Sequence, residues 1–506
     1  MIKNFKWLLL VSLTFVACNT NDDEVIVYDS SDGLPLTAGT ANFSKFVTLG
    51  NSLTAGYSDN ALFIEGQKAS YTNIMAQKFK LVGGGDFKIP FMADNIGGFK
   101  INGTQFAGPR LYSSGGQAPV PVSGTPSTEI LTSIATAGPY NNCGVPGAKS
   151  FHLLSPSYGS AAGISLGTAN PYYVRFAPNA STSVLAYAMS QTPTFFSLWI
   201  GNNDVLGYAT TGGDGTNAIT PSAGAAGVGF DATYDALVNT LTSAGAKGVV
   251  ANIPYVNTVP FFTTVPTNPV PLSAAQVGQL NPLFGAMNSM LAVAGQPARF
   301  QALTASATNP LLIADEMLAY DATALYTGGF TQAGYPPATA AFLGALYGKA
   351  RHASNATASK DYILLTARSL IGTTQPGYPA TNNTIGVTFP MQDNTTLTAS
   401  EVVLVKTATD AYNAKIKAVA SAKGLAFVDT NALMTKIANG GISANGFTVT
   451  SAFITGGGFS TDGVHPSPRG YALIANKFIE AINTTFGSNL KGVSLANYGI
   501  LFPKAL

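Results

Sequence analysis

Four short segments carry the residue types with which acyl chemistry could be done: Gly50-Asn51-Ser52-Leu53, Asn142-Cys143-Gly144-Val145-Pro146-Gly147, Gly201-Asn202-Asn203-Asp204 and Asp462-Gly463-Val464-His465. Ser52 is a hydroxyl that a base could activate. The chain has three histidines, His152, His352 and His465, and only His465 has a carboxylate, Asp462, three residues upstream. An aspartate on Nδ1 fixes the tautomer that leaves Nε2 free to take the serine proton. Asn203 offers an amide donor to a developing oxyanion. Nucleophile, base, orienting carboxylate and oxyanion donors are the parts that acyl transfer through a serine requires.

Local sequence suggests how these parts are held. Phe46-Val47-Thr48-Leu49 reads as a strand, Gly50-Asn51 as a turn and Leu53 to Phe63 as a helix, so Ser52 stands where free backbone N–H groups gather. Asn203 follows the β-branched and aromatic run Thr194 to Ile200, which puts its amide at the carboxyl end of a strand, the edge where open α/β sheets bind ligands. Each residue also has a plainer role: Ser52 as an N-cap, Asn203-Asp204 as a turn, Asp462 and His465 as a solvated loop pair. A rival motif, Gly163-Ile164-Ser165-Leu166-Gly167, matches Gly-x-Ser-x-Gly but lacks the strand before and helix after that such an elbow needs.

The four segments, in this order, resemble the blocks of the SGNH, or GDSL, hydrolase family. The resemblance implies a catalytic triad of Ser52, Asp462 and His465, and an oxyanion hole from the N–H groups of Ser52 and Gly147 and the amide of Asn203, with Gly144 as the fallback glycine. It also implies a three-layer, flavodoxin-like α/β fold with a parallel five-stranded sheet between helices. The expected activity is that of an esterase or lipase, an acylhydrolase cleaving carboxylic esters without metal or cofactor. Tyr57, Ser70-Tyr71-Thr72-Asn73 and Gly245 to Pro254 are similar to family sequence too. Asn51 stands where the family usually has aspartate. That departure motivates an alternative, a catalytically weak or inactive surface lipoprotein that binds glycans or lipids on the same scaffold.

Composition points outward. Of 506 residues only 10% are charged, against roughly 25% in typical proteins. The surface must therefore be built of Ser, Thr, Asn, Gln and Gly. A net charge of +2 without a basic run excludes nucleic acid as an expected partner. Lys3 and Lys6 precede an apolar stretch from Trp7 to Ala17 that is too short to span a membrane and suits a signal peptide. Phe15-Val16-Ala17-Cys18 resembles a bacterial lipobox, and Asp22-Asp23-Glu24 is similar to the acidic export signal of Bacteroidetes lipoproteins. An exported outer-membrane lipoprotein, periplasm-facing or at the cell surface, is expected, attached to the membrane only by a lipid on Cys18. With Cys18 lipidated, Cys143 has no partner for a disulfide and reads as a small buried apolar residue.

Residues 1–18 thus read as signal peptide, 19–42 as a flexible tether and 43–506 as one domain. Strands are expected at Phe46–Leu49, weakly before Asn141, at Phe195–Ile200, Gly248–Ile253 and Leu425–Val428, alternating with helices. Tyr234, Leu237, Val238 and Leu241 share a helical face, as do Tyr412, Ile416 and Val419, and Tyr471, Ile474, Phe478 and Ile482. Two stretches, about 85–140 and 256–398, break the alternation and are expected to wall the substrate pocket. Their aromatics, among them Phe261, Phe262, Tyr320, Tyr326, Phe330 and Tyr335, could line that pocket or simply form core.

Overall fold

The structure, a computed structural model, describes residues 29–114 and 116–506. The expected signal peptide and Cys18 lie outside the described residues.

Strands Phe46–Gly50 (β1), Asn142–Gly144 (β2), Phe195–Trp199 (β3), Lys247–Ala251 (β4) and Ala426–Val428 (β5) form one sheet in the order β5-β4-β3-β1-β2. Every neighbouring pair is parallel. From β1 the chain crosses to β2 on one side and returns to β3 on the other. At such a reversal the loops leaving adjacent strands part, and a crevice opens beyond their carboxyl ends. The loops leaving β1 and β3 carry Ser52 and Asn203.

One strand differs from expectation. It lies at Asn142–Gly144, after Asn141 and not before it. Asn and Gly have little intrinsic β preference, so this strand exists through its pairing with Thr48–Gly50 and through burial, a tertiary effect that local sequence does not carry.

The principal helices are Ser52–Ala55 (α1), Tyr71–Lys80 (α2), Asn202–Thr210 (α3), Phe230–Thr242 (α4), Ala274–Val293 (α5), Thr323–Gln332 (α6), Pro337–Tyr347 (α7), Ala399–Lys423 (α8), Thr430–Ala438 (α9) and Pro468–Phe486 (α10). Strand side chains alternate between two cores. Val47, Leu49, Phe196, Leu198 and Val250 pack with α4 and α8, whereas Phe46, Phe195, Trp199, Val249 and Ala251 pack with α2 and α10. The sheet is therefore covered on both faces. α10 begins where its sequence says it should: Ser467 accepts a hydrogen bond from the Gly470 N–H at 3.0 Å, and Pro468 takes the first helical position.

The helix expected from Leu53 to Phe63 is cut short. α1 ends at Ala55 because Gly56 turns left-handed, with φ +85°, and a Cβ there would lie 2.8 Å from the Gln67 Cα.

The first insertion forms two small antiparallel hairpins, Phe99–Ile101 with Thr104–Ala107 and Leu111–Tyr112 with Val120–Pro121. The second contributes α5, α6 and α7 around a core of its own, including Phe284, Met287, Tyr326, Phe330 and Tyr347. Tyr326 and Phe330 belong to that core, Phe261 and Phe262 to the α4 side of the sheet, and Tyr335 is exposed.

The stretch expected to be a tether as far as residue 42 is docked from Ser30 onward. Ser30 bridges to Leu490, and Asn489 accepts from the Thr37 N–H at 2.8 Å and donates to Asp32 Oδ1 at 2.9 Å. Ala41 is buried beside these contacts. A polar composition reads as tether, but the satisfied hydrogen bonds of Asn489 anchor it.

Candidate active site

Ser52 is the first residue of α1, and Asn51 caps it by accepting from the Leu53 N–H at 3.0 Å. The Asn51 amide also donates to Asn202 Oδ1 at 3.1 Å, tying the β1 loop to the β3 loop. An aspartate at position 51 would keep the cap and lack that donor. The position of α1 is enforced by neighbours: the Asn142 amide donates to the Thr54 carbonyl at 2.9 Å, and Thr54 and Tyr71 share a hydroxyl hydrogen bond of 3.0 Å.

Across the crevice, the loop before α10 carries His465. Its Nε2 lies 2.8 Å from Ser52 Oγ, although the two residues are 413 positions apart in the chain. Its Nδ1 lies 2.8 Å from Asp462 Oδ2. A carboxylate on Nδ1 places the ring proton there, so in the neutral imidazole Nε2 accepts from the serine hydroxyl. Asp462 is itself fully engaged: Oδ1 accepts from the Val464 and His465 N–H groups, each at 2.8 Å, and from Ser460 Oγ at 3.0 Å, while Oδ2 also accepts from the Asn60 N–H at 2.9 Å. Burial alone would raise this carboxyl, but the charge and hydrogen bonds of His465 and the Val464 N–H outweigh it and hold it at about 2. Tyr57 packs on the imidazole, ring centres 4.6 Å apart.

Asn203, on the first turn of α3, donates from Nδ2 to the Ala148 carbonyl at 2.9 Å, which leaves the second amide hydrogen free. Gly147 precedes that carbonyl. Its N–H and that of Ser52 meet no acceptor among the described residues, whereas the Gly144 N–H is already given to Asn142 Oδ1 at 2.9 Å. The loop after β2 is anchored by Asp204, a wholly buried carboxylate that accepts from the Ser150 N–H at 2.8 Å and Ser150 Oγ at 2.6 Å. Burial pushes its carboxyl above the usual range while Ser150 pulls against it.

The other candidates stand elsewhere. Ser165 is exposed in a turn, without a flanking strand. His152 accepts from the Lys149 N–H and stacks on Tyr158, and His352 accepts from the Gln301 N–H; burial lowers both to about 4. Cys143 is buried, which pushes its thiol well above the ordinary value. Among the described residues three carboxylates, Glu316, Asp393 and Glu401, come within 4.8 Å of one another, and they share no residue with the Ser52 cleft.

That cleft encloses about 900 Å³, its open mouth included, and its lining contains Ser52, Asn203 and His465 but neither glycine. The walls are Leu206 on α3, Ile253 to Val256 after β4, Leu433 to Ile437 on α9, and Leu473 and Ile474 on α10. Of the long insertions, the first contributes nothing to it and the second only Val256 and Val259. The expectation that the insertions wall the pocket is thus corrected: residues of α9 and α10, with Leu206 and the loop after β4, do so.

Sequence reasoning overlooked a buried layer behind Asp462. Asp59 and Asn60 form a left-handed turn, with φ +51° and +62°. Asn60 presents its N–H to Asp462, while Asp59 Oδ1 accepts from the Thr461 N–H at 3.1 Å and Thr461 Oγ1 at 2.8 Å. Behind it Arg110, 1% exposed, sets Nη1 3.8 Å from Asp59 Oδ2 and donates through Nη2 to the carbonyls of Pro503 (2.6 Å) and Lys504 (3.0 Å). An Asp-Asn pair is a turn signal, the one local hint of this arrangement. Arg110 had none.

Taken together, the groups can move a proton from Ser52 to an imidazole held in one tautomer, beside donors with nothing to bind. Comparison with protein-family models, with curated proteins and with solved structures returns no match to this chain.

Proposed function

We propose that this chain is a serine ester hydrolase of the SGNH kind, on a flavodoxin-like scaffold. One observation carries the reading: Ser52 Oγ, His465 Nε2 and Nδ1, and Asp462 Oδ2 form an unbroken chain of 2.8 Å contacts between opposite ends of the sequence. A solvated loop pair or a simple N-cap has no need of that alignment.

In the proposed reaction Ser52 Oγ attacks the ester carbonyl carbon as His465 Nε2 takes its proton. The oxyanion is held by the N–H groups of Ser52 and Gly147 and the free amide hydrogen of Asn203. As the intermediate collapses, the bond from carbon to alkoxy oxygen breaks, and His465 returns the proton to the leaving alcohol. Water then attacks the acyl-serine, giving its proton to His465. Collapse releases the acid and sends that proton back to Ser52 Oγ. Asp462 keeps the ring oriented and balances the imidazolium charge.

A fluorophosphonate probe tests the assignment. Labelling that disappears in Ser52→Ala and persists in Ser165→Ala is the expected result. Absence of labelling in the parent protein would instead favour a scaffold that binds glycans or lipids without turnover. The resemblance at the N-terminus extends the proposal to an exported lipoprotein anchored through Cys18, which metabolic labelling with a fatty-acid analogue, lost in Cys18→Ala, would reveal.

A further inference from the structure

We infer that the cleft beside Ser52 is an acyl-chain site and that the substrate is an ester of a medium- or long-chain fatty acid. This rests on the hydrolase reading for its chemistry and on the cleft's walls for its specificity. From Ser52 the cleft runs inward between the sheet and helices α9 and α10. Its inner walls are Trp199, Leu433, Ile437, Val449, Phe459 and Leu473, all buried members of the core on that face. His465 is the one ionisable group besides Tyr255 that lines it.

Apart from Ser52, Asn203 and His465, the few polar side chains there each already have a partner. The Tyr255 hydroxyl bonds to Asp410, Thr430 Oγ1 donates to the Asn252 carbonyl, and Asn51 is joined to Asn202. A sugar ring or charged head group in this space would leave its hydroxyls or charge without partners, which disfavours both strongly. An alkyl chain asks for nothing that the walls lack. Each methylene buried there is worth about a fourfold gain in affinity or in kcat/KM.

The part of the substrate that occupies the cleft is the acyl part. After the first step the alcohol must leave so that water can reach the acyl-serine, and an apolar cleft suits the portion that stays bound through both steps.

Two measurements separate this inference from the reading beneath it. First, with p-nitrophenyl acetate, butyrate and octanoate, kcat/KM is expected to rise at least about tenfold from acetate to octanoate, and ethyl octanoate to be cleaved faster than octyl acetate. Met434 lines the cleft and is only partly buried, so Met434→Trp should fold, fill the cleft and lower the octanoate-to-acetate ratio about tenfold or more. Second, cis-parinaric acid, a fluorescent fatty acid, should bind Ser52→Ala, and Met434→Trp in that background should weaken it about tenfold. Binding does not depend on turnover, so it stands even if no ester is cleaved and the fluorophosphonate leaves Ser52 unlabelled. Preference for acetate, preference for octyl acetate, or failure of parinaric acid to bind would each overturn the acyl-chain site while leaving Ser52 labelling untouched.

Discussion

Both oxygens of Asp462 are occupied by hydrogen-bond donors, three of them backbone N–H groups from Asn60, Val464 and His465. Such a carboxylate cannot rotate, and at about 2 it remains ionised throughout the range in which esters are assayed. Loss of activity in acid would therefore not report protonation of Asp462. Asp462→Asn retains the shape but favours the wrong imidazole tautomer, and kcat is expected to fall about 10⁴-fold. Asn203→Ala removes one of the proposed oxyanion donors, with an expected loss of about 10² to 10³ in kcat, roughly 3 to 4 kcal/mol, and little change in KM. Steady-state kinetics on one activated ester check both, and a loss in KM alone would remove Asn203 from the oxyanion site.

A helix as short as α1 contributes little dipole, so its value lies in where it puts Ser52. Its placement comes from β2: the Asn142 amide holds the Thr54 carbonyl, and Gly144 lets the strand lie directly against the helix. A Cβ on Gly144 would come within 2.4 Å of the Ala55 nitrogen and 2.7 Å of the Thr54 carbonyl carbon, both backbone atoms that cannot step aside. Gly144→Ala is expected to cost about 1 to 3 kcal/mol in urea unfolding and to slow fluorophosphonate labelling of Ser52. Unchanged labelling would mean that α1 is positioned independently of β2.

At the scale of the whole molecule, the reactive pair is drawn from the chain's two ends and braced by a third region, since Arg110 of the first insertion joins Asp59 to the carbonyls of Pro503 and Lys504. Burial raises Asp59 to about 6, against Thr461, whose hydrogen bonds lower it; the charge of Asp462 adds to the rise and that of Arg110 opposes it. The folded value lies above the ordinary 3.8, so the folded state binds this proton more tightly than the unfolded one. Its stabilising contribution is then complete below 3.8 and is lost as pH climbs through about 6. Asp59→Asn should erase that dependence: relative to the variant, the parent should lose up to about 3 kcal/mol of unfolding free energy between about pH 4 and pH 7. Urea titrations across that range read the difference, and parallel curves would refute it.

Where information is local, the chain could be read directly. Short apolar, β-branched or aromatic runs marked β1, β3 and β4, the helical stripe of Tyr471, Phe478 and Ile482 marked α10, and an aspartate three residues before a histidine singled out that pair from three histidines. Long-range placement could not be read so. β2 has no strand-forming residues and exists only by pairing with β1; Asp59 and Arg110 meet because two loops fold behind Asp462; and the cleft walls come from α9 and α10, while the large insertions mostly build cores of their own. Turn, cap and periodicity preferences act within a few neighbours and are written residue by residue. Which side chains share a cavity depends on how helices close over a sheet, and that is decided only when the whole chain buries its apolar surface at once.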